Sequence, residues 1–379
     1  MSEIKRIGVM TSGGDCAGLN AVIRAIVHRA VWTYKWEVFG IIDSSEGLML
    51  RPLRYRQLHI NDFYQPYARL GGTMLGTINR GNPFAYKMPD GSVQDLTQQF
   101  GDGCRELGLD ALLVIGGDGS MAIVSKLCHG ANVKMIGIPK TIDNDTPVTE
   151  HSVGFATARQ VCVEALDRLQ STAASHKRVM IMEVMGRDVG HIAIQTAIAG
   201  GADICLIPEV KYSYEGVLNK LRAVRQEGGN HALIVVSEGV KPDDGEHLGI
   251  HNPEKNFRYS GFGQYLCDRL NAEPDEFGCR VTTLGHVQRG GVPDAEDRLI
   301  ASVFGVHAVD LLANGISDHM VIWKGNDVSS IPLTEIDKIS TSTHTSTWES
   351  KWVAAKTAGV DPKGSLVHTA RAMGMYIGD

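Results

Sequence analysis

Carboxylates and one lysine follow two apolar runs that lie close together in the sequence. The run "VIGGDGSMAIV" places Asp118 in a glycine-containing loop, and "IGIPKTIDNDTP" places Lys140, Asp143 and Asp145 directly after a second run. Phosphoryl transfer needs a divalent cation to hold the phosphates and a base to accept a hydroxyl proton, and carboxylates suit both tasks. A lysine can neutralise the transferring group. The pattern therefore indicates phosphoryl transfer, although a self-capped turn explains "IDND" equally well when it is taken alone.

A second glycine-rich loop near the N-terminus has the same design. The segment "VMTSGGDCAGLN" passes from an apolar run through Gly13, Gly14 and Asp15 to a helical pattern that starts at Leu19. Glycine lets a ligand approach the backbone, and the first N–H groups of a helix attract an anion. Both loops therefore predict phosphate binding, with a tight strand-to-helix turn as the alternative for each. The sequence has no G-x-x-x-x-G-K-[ST] motif, which disfavours a Walker-type nucleotidase.

The segment "GDGSMA" also matches the dinucleotide fingerprint G-x-G-x-x-A. That fingerprint expects an acidic residue about 20 positions further on, where it binds a ribose hydroxyl. Asp143 follows Gly119 by 24 positions, but a single ribose contact would not require Lys140 and Asp145 beside it. A nicotinamide-dependent oxidoreductase is therefore the competing hypothesis that the residues alone leave open.

Short apolar runs alternate with helical patterns along the chain, and these elements must position the loops. Continuous apolar runs suit a parallel sheet that is covered on both faces. The predicted strands are "IKRIGVMT", "EVFGIID", "ALLVIG", "KMIGIP", "RVMIMEV", "DICLIPE" and "HALIVVSEG". The predicted helices include "FATARQVCVEALDRLQSTAAS", "EGVLNKLRAVRQEGG" and a first helix whose apolar face comprises Leu19, Val22, Ile23, Ile26, Val27 and Ala30.

This alternation predicts an α/β fold with two Rossmann-like lobes. Each lobe is expected to be a mostly parallel sheet flanked by helices, with the active site in the cleft between the lobes. Two polar segments stand outside the pattern. The segment "GVKPDDGEHLGIHNPEKN" is expected to be a surface loop, and the tail that begins at Ser340 is expected to continue as one helix.

Composition sets broad limits on function. The chain has 379 residues, enough for two domains, with 43% hydrophobic residues and a formal net charge of −6. That charge gives no reason to expect nucleic acid or an anionic membrane as a partner. The seven cysteines are scattered and form no CxxC pair, which argues against a disulfide framework or a zinc site. With no signal-peptide core and no long apolar run, the sequence predicts a cytoplasmic protein.

The chain resembles the 6-phosphofructokinase family of the bacterial type over nearly its whole length. The resemblance rests on "TSGGDCAGLN", "GGDGS", "PKTIDND", "VMGRDVGHIA", "SEG" and "LGHVQRGG", which occur in the family's order and at its spacing. It implies a glycolytic kinase that uses Mg²⁺ and transfers a phosphoryl group to the 1-hydroxyl of fructose 6-phosphate. It also implies a homo-oligomer, a dimer or tetramer with shared active sites.

The resemblance implies a role for each matching residue. Asp143 would be the general base, Arg187 would stabilise charge in the transition state, and Lys140 and Thr141 would lie beside the reacting groups. The magnesium centre would comprise Asp118 and Asp145. The donor contacts would be Gly14, Arg80, Gly117, Asp118, Gly119 and Ser120. The sugar contacts would be Thr141, Asp143, Arg178, Met185, Gly186, Arg187, Glu238, Arg280, His286 and Arg289.

The resemblance implies that four of these sugar contacts hold the 6-phosphate, and the three arginines among them suit this task because a guanidinium fork binds phosphate bidentately. They are Arg178, Arg280, His286 and Arg289. In the family, Arg178 and Arg280 reach across from a neighbouring subunit. The expected lobes are a donor lobe, 1–154 plus about 290–340, and a sugar lobe, 155–289 plus about 341–379.

Two positions bear on the phosphoryl donor. ATP users of the family carry glycine where Gly119 stands, whereas pyrophosphate users usually carry an aspartate that would repel the α-phosphate of a nucleotide. Lys140 favours pyrophosphate instead, because pyrophosphate users of the family carry lysine at this position. A lysine does not obstruct ATP, so we expect ATP to be the donor and keep pyrophosphate as the alternative. The basic effector pocket of the short bacterial enzymes is poorly matched, so no effectors are carried over.

Overall fold

A computed structural model of the chain describes residues 4–340 and 358–378, apart from residues 65, 244, 253–254 and 276. The chain divides into two units. Unit 1 comprises Met1–Ala156 and Arg289–Lys356, and unit 2 comprises Thr157–Gln288 and Thr357–Asp379. The lobes expected from the sequence had their boundaries after residues 154, 289 and about 340, so Arg289 belongs to unit 1 rather than to the expected sugar lobe.

Unit 1 is built on a seven-stranded sheet. Its strands, numbered in chain order, are β1 Arg6–Thr11, β2 Glu37–Ile41, β3 Tyr55–Leu58, β6 Ala111–Gly116, β7 Lys134–Pro139, β14 His319–Lys324 and β15 Asp327–Pro332. The order in the sheet is β15-β14-β7-β6-β1-β2-β3. Neighbours from β14 to β2 are parallel, and the two edge strands pair antiparallel. A separate hairpin consists of β4 Tyr86–Lys87 and β5 Val93–Gln94.

Helices cover this sheet, which explains its continuous apolar strands. Every residue of β6 is buried, as expected for a central strand of a parallel sheet. The helices are α1 Leu19–Arg29, α2 Glu46–Met49, α3 Thr97–Glu106, α4 Asp118–Ala131, α9 Ala295–Ala313 and α10 Leu333–Ser340. A π-helical turn, Ala30–Tyr34, extends α1, and short 3-10 turns span Ile60–Phe63, Tyr67–Arg69 and Pro83–Ala85. The predicted apolar face of α1 is wholly buried, so that prediction is confirmed.

Unit 2 contains a smaller, all-parallel sheet. Its strands are β8 Val179–Val184, β9 Ile204–Leu206, β10 Ala232–Ser237 and β13 Arg280–Thr283, in the order β13-β8-β10-β9. Its helices are α5 Phe155–His176, α6 His191–Gly200, α7 Tyr214–Gln226, α8 Phe262–Asn271 and a final helix α11 Ser365–Ala372. A 3-10 turn, Gly285–Arg289, follows β13. The predicted α/β class is confirmed in both units, and the predicted strands and helices that precede Ser340 form within them.

One sequence interpretation was wrong. The segment expected to be a surface loop contains part of a hairpin, β11 Gly249–Asn252 paired antiparallel with β12 Lys255–Tyr259. An antiparallel ribbon can face water on one side, so a largely polar stretch is compatible with strands. The helix expected after Ser340 falls mostly on residues 341–357, which lie outside the described residues. In the described part of the chain, no helix is long and apolar enough to cross a membrane.

Candidate active site

Three neighbouring parallel strands of unit 1 carry the loops that the sequence singled out. β1, β6 and β7 lie side by side in the sheet, so their carboxyl ends meet at one edge. Ligands of open α/β sheets bind at this edge. β1 leads into the first glycine loop, β6 is followed by Gly117 and then by α4, which begins at Asp118, and β7 runs directly into Lys140. The chain therefore brings both glycine loops and the acidic cluster to one edge of one sheet.

The first glycine loop is packed against the segment that contains Thr77 and Ile78 and against the second glycine loop. The Gly13 N–H donates to the carbonyl of Ile78 at 3.0 Å, and the Thr77 hydroxyl donates to the Gly13 carbonyl at 2.7 Å. Gly13 has φ +84°, and a Cβ there would lie only 2.7 Å from Oγ of Ser120 in α4. Glycine is therefore required at residue 13 both for its backbone conformation and for the close approach of the second loop.

Lys140 joins the first loop to the end of β7. Its ammonium group donates to the carbonyl of Gly14, and its backbone N–H donates to the carbonyl of Gly116 at 2.9 Å. The residue is only 4% exposed. Burial lowers the pKa of Lys140, and the nearby Asp15 and Asp143 carboxylates oppose that shift. The lysine is thus held inside the structure and in contact with the loop expected to bind phosphate.

Asp143 and Asp145 form a buried acidic pair with Thr141 between them. Each aspartate is 9% exposed. The Thr141 hydroxyl donates to Oδ1 of Asp145 at 3.0 Å and accepts from the Asp143 N–H at 3.1 Å. Burial, followed by repulsion from Asp143 and Asp118, raises the pKa of Asp145 to about 7. The three carboxylates therefore repel one another within one small region.

This donor set fits a magnesium ion. Mutual repulsion between buried carboxylates is relieved by a bound cation. Mg²⁺ commonly binds through one or two carboxylates together with substrate phosphates and water, rather than in a complete protein cage. The described residues contain no cluster of three or more His, Cys, Asp or Glu side chains placed to hold a metal by themselves. Asp118 and Asp145 are the residues that would hold the ion.

The start of α4 provides open space for a donor. Asp118 is the first residue of the helix, and its Oδ1 accepts the Gly119 N–H at 2.6 Å. A Cβ added at Gly119 would meet nothing within 4 Å. Ser120 is half-buried against the first glycine loop, and Arg80 is exposed in a segment without regular secondary structure. Among the residues that the structure describes, no group therefore fills the space directly beside Gly119.

Arg289 lies beside the first glycine loop. Its Nη1 donates to the carbonyl of Asp15 at 3.2 Å, and a Cβ added at Gly14 would be 2.9 Å from the same nitrogen. Gly14 therefore allows a guanidinium group to approach the loop backbone closely. The structure places this arginine among the donor-side residues of unit 1, although the sequence grouped it with the sugar-phosphate contacts.

A second set of predicted residues lies at the carboxyl edge of the unit 2 sheet. Met185, Gly186 and Arg187 follow β8, Glu238 follows β10, and His286 follows β13. The Arg187 N–H donates to Oε1 of Glu238 at 3.1 Å, which joins two of these loops. Arg187 and His286 are exposed to solvent. Together these loops present a cation, a carboxylate and an imidazole at one edge.

Close backbone contacts fix the loop that carries Arg187. Gly186 has φ +151°, and a Cβ there would lie 2.5 Å from the carbonyl of Val189. A Cβ at Gly239 would lie 2.0 Å from the carbonyl of Arg187. Arg187 itself has φ +53°, an uncommon conformation for a residue with a side chain. Such conformations persist where the surrounding structure determines them, and they concentrate at functional sites.

The remaining two arginines lie at the opposite edge of the same sheet. Arg178 immediately precedes β8, and Arg280 is the first residue of β13, where it pairs in register with Met180. The six residues of β8 separate this edge from Arg187. A strand of that length spans about 20 Å. The structure therefore does not bring Arg178 and Arg280 together with Arg187, Glu238 and His286 within unit 2.

Sequence reasoning missed one residue that organises this region. Gln288 is 1% exposed, and its Oε1 accepts from the Met185 N–H at 3.3 Å and from the Cys162 thiol at 3.0 Å. Its amide nitrogen donates to the carbonyl of Gly285 at 3.1 Å. Gln288 therefore ties the turn after β13 to the loop after β8. The available signal was an amide side chain between His286 and Arg289 in "LGHVQRGG".

Comparison with known proteins identifies the family. A sequence model described as phosphofructokinase matches residues 6–312. A Synechocystis sp. relative named "ATP-dependent 6-phosphofructokinase 1" is 49% identical over 379 residues, covering 100% of both chains. A Nostoc sp. relative of the same name is 49% identical over 381 residues, again covering 100% of both chains. The chain belongs to the phosphofructokinase family.

A solved structure extends this similarity to the fold. The match is to the structure of phosphofructokinase from Saccharomyces cerevisiae, with a TM-score of 0.75 and 28% sequence identity. It covers 97% of this chain and 50% of the yeast chain, so this chain spans half the length of that protein. Family membership decides against the nicotinamide-dependent oxidoreductase that "GDGSMA" left open.

Proposed function

We propose that this protein is an ATP-dependent 6-phosphofructokinase, which transfers the terminal phosphoryl group of ATP to the 1-hydroxyl of fructose 6-phosphate. The product, fructose 1,6-bisphosphate, belongs to glycolysis. The observation that carries the proposal is full-length similarity, at 49% identity, to two relatives named as ATP-dependent 6-phosphofructokinases. The geometry of unit 1 supports it, because a buried lysine and three carboxylates surround a pair of glycine loops.

Each residue has a defined task in this proposal. Asp143 accepts the proton of the sugar hydroxyl, which makes the oxygen a better nucleophile. Lys140 and the backbone N–H of Gly14 face the transferring phosphoryl group and stabilise its charge. Thr141 holds Asp145 and the Asp143 backbone in place through the two hydrogen bonds described above. Asp118 and Asp145 would hold Mg²⁺, which would neutralise phosphate charge when bound.

Residues of unit 2 bind the sugar. Glu238 accepts hydrogen bonds from sugar hydroxyls, and its bond to the Arg187 backbone keeps that loop in place. Arg187 offers its guanidinium group to the charge that develops during transfer. Met185 and Gly186 line the sugar site, and His286 contacts the 6-phosphate. Arg289 belongs to the same phosphate set in this proposal, although it also contacts the first glycine loop.

The donor is assigned to ATP because Gly119 leaves open space at the start of α4. Lys140 is the observation that favours pyrophosphate, because it supplies a fixed positive charge that a small anionic donor would use. The decisive experiment measures fructose 1,6-bisphosphate formed from fructose 6-phosphate with Mg²⁺ and either ATP or pyrophosphate. Turnover with ATP and little with pyrophosphate is the expected result. The reverse result would contradict the donor assignment, and no product with either would contradict the proposal as a whole.

We also propose an oligomer of at least two chains that share active sites, a dimer or a tetramer. The support is the position of Arg178 and Arg280, about one strand length away from the sugar loops of their own sheet. These arginines complete the phosphate site of a neighbouring subunit. Mixing Asp143→Asn with Arg280→Ala protein should restore activity at low fructose 6-phosphate, because hybrids contain sites with both native residues. Activity no higher than the sum of the two variants would contradict sharing.

A further inference from the structure

A pocket of about 360 Å³ lies in unit 2, next to the loops that carry Arg187 and Glu238. We name it the Lys211–Lys241 pocket after two lysines in its lining. Its volume falls within the range of small-molecule sites. None of the residues assigned above to the donor or the sugar lines it, so it is distinct from both sets. Its lining combines cations, a phenol and an apolar wall that includes Pro208 and Val240.

The phenol of Tyr212 is the observation that points to a ligand. Tyr212 is 6% exposed, and among the residues that the structure describes its hydroxyl has no partner in hydrogen-bond geometry. The backbone N–H of Asp243 lies near the phenol oxygen, but an N–H can only donate, so the O–H of Tyr212 has no acceptor. A buried hydroxyl without a partner is unfavourable, because the water bonds lost on folding are not replaced. Burial also raises the pKa of Tyr212 above its ordinary value, so the phenol keeps its proton and can donate. An acceptor oxygen in the pocket would satisfy it.

The charges around the pocket favour an anion. Both aspartates of the lining are already paired with arginines, since Asp188 lies 3.8 Å from Arg187 and Asp243 lies 2.6 Å from Arg269. Asp188 also accepts from the Tyr259 hydroxyl at 2.5 Å. Across the residues that the structure describes, neither Lys211 nor Lys241 forms an ion pair, and both are exposed. Two ammonium groups and one protonated phenol are therefore available to the same ligand.

We propose that the Lys211–Lys241 pocket binds a small phosphomonoester. The two lysines and the Tyr212 hydroxyl contact the phosphate, whose oxygens accept strong hydrogen bonds from charged donors. The apolar wall packs against the carbon skeleton of the ligand, which inorganic phosphate lacks. A compound of three to six carbons would suit the volume of the pocket.

The pocket is connected directly to the sugar loops. Asp188 follows Arg187 in the chain, and Gly239, which lines the pocket, follows Glu238. Gly239 packs so closely on Arg187 that no side chain fits between them. A ligand that contacts the segment containing Asp188 or the segment containing Gly239 therefore restricts the positions that Arg187 and Glu238 adopt. This second step rests on the proposed function, and it makes the pocket a regulatory site for fructose 6-phosphate binding.

Binding is tested by calorimetry on the full-length protein, with glycerol 3-phosphate as the probe and no phosphoryl donor. Probe binding that survives in the pocket variants measures occupancy of the sugar site, so the difference between wild type and these variants measures the pocket. We expect binding that becomes at least about tenfold weaker in a Lys211→Met, Lys241→Met double variant, because two charged contacts are lost. Lys363→Met, an exposed lysine of unit 2 outside the pocket, is the matched control and should bind as wild type does. Inorganic phosphate should bind more weakly than glycerol 3-phosphate, and glycerol should not bind.

Tyr212→Phe tests the contribution of the phenol most directly, because it removes only the hydroxyl that lacks an acceptor. We expect the ligand-free variant to unfold at the same temperature as wild type or higher, yet to bind the probe about two- to tenfold more weakly. Equal probe affinity in wild type and both pocket variants, or no binding in wild type, would overturn the site.

Coupling is tested separately by titrating fructose 6-phosphate calorimetrically with and without the probe. An altered affinity in wild type that disappears in the double variant supports coupling. Unchanged affinity overturns coupling even if the pocket binds. Because these measurements need no turnover, an inactive protein would contradict the proposed function without affecting the test of the site.

Discussion

The donor-side residues of unit 1 and the sugar-side residues of unit 2 differ in how they are held. Lys140, Asp143 and Asp145 are almost fully buried and are bound to backbone or to neighbouring side chains. Arg187 and Arg280 are exposed to solvent. The residues of unit 1 are therefore held in place before a substrate binds. The arginines of unit 2 stay hydrated until a substrate displaces the water around them.

This difference assigns the two sets to different steps. Burying charge is costly, so buried charges persist where they are paired and where their fixed orientation stabilises a transition state. Exposed guanidinium groups gain most when a phosphate binds them bidentately. Changes to the buried residues of unit 1 should therefore lower turnover, and a change to Arg280, which is assigned to the sugar phosphate, should weaken sugar binding. The following substitutions test that division.

Asp143→Asn should have the largest effect. It removes the proposed base while keeping the size of the side chain, so we expect turnover to fall about 10²–10⁴-fold with little change in either substrate's affinity. Steady-state rates and calorimetric binding of fructose 6-phosphate measure the two quantities. Asp102→Asn, at an exposed position of α3, is the control and should keep wild-type turnover. A variant that retained half of wild-type turnover would show that Asp143 is not the base.

Gly119→Asp should have the second largest effect, and it should change only the use of the phosphoryl donor. The new carboxylate lies where the α-phosphate of ATP is expected, and two like charges about 4 Å apart near a protein surface repel by about 4 kcal/mol. We therefore expect ATP use to fall about 10²–10³-fold, while any pyrophosphate use is largely spared. Rates with each donor at saturating fructose 6-phosphate measure the effect.

Gly119→Ala is the matched control for that change. A Cβ at this position meets nothing within 4 Å, so a methyl group should be tolerated. If alanine impaired ATP use as strongly as aspartate, shape rather than charge would control the site. If aspartate left ATP use unchanged, the main support for ATP from the sequence of the loop would be lost.

The sequence predicted the buried set of unit 1 better than the exposed set of unit 2. Lys140, Asp143 and Asp145 follow a continuous apolar run. In a parallel sheet, residues that follow neighbouring strands lie at the same edge. Their proximity to Asp118 therefore followed from strand order. The contact between Lys140 and the Gly14 carbonyl did not follow, because it depends on how the two loops pack.

Three other features could not be deduced from local patterns. The separation of Arg280 from Arg187 appears only once β8 and β13 are paired in register, whereas the predicted strand "RVMIMEV" already separates Arg178 from Arg187. The role of Gln288 depends on contacts with residues far away in the chain. The hairpin after β10 was missed because its strands are polar. Each case involves tertiary contacts rather than the period of an apolar pattern.

Arg280→Ala tests the exposed set. Loss of a charge-assisted phosphate contact costs about 1.5–3 kcal/mol, so the concentration of fructose 6-phosphate needed for half-saturation should rise about 10- to 150-fold. The half-saturating ATP concentration should change little. Saturation curves for each substrate measure both. Arg168→Ala, an exposed arginine of α5, is the control, and a shift confined to the ATP curve would contradict the assignment of Arg280 to the sugar phosphate.

The smallest expected effect concerns stability, and it tests whether the acidic cluster of unit 1 is strained without a cation. The pKa of Asp145 is raised to about 7 from an ordinary value of 3.8. A carboxyl group with a raised pKa binds its proton more tightly in the folded state, so ionisation destabilises the fold. The penalty is absent below pH 4, grows as the pH rises towards 7 and is complete above that range. Asp145→Asn carries no such penalty.

We therefore expect the unfolding temperature of Asp145→Asn to rise relative to wild type as the pH goes from 5 to 8, in the absence of Mg²⁺ and donor. Each unit of pKa shift corresponds to about 1.4 kcal/mol, so the difference should amount to a few kcal/mol at most. Mg²⁺ with ATP should stabilise wild type more than the variant, because the ion relieves the repulsion only where Asp145 is charged. The unfolding temperature of the control Asp102→Asn should depend on pH in the same way as that of wild type. If the unfolding temperature of Asp145→Asn also followed that of wild type across this pH range, the repulsion among Asp118, Asp143 and Asp145 would be too weak to favour a cation at this site.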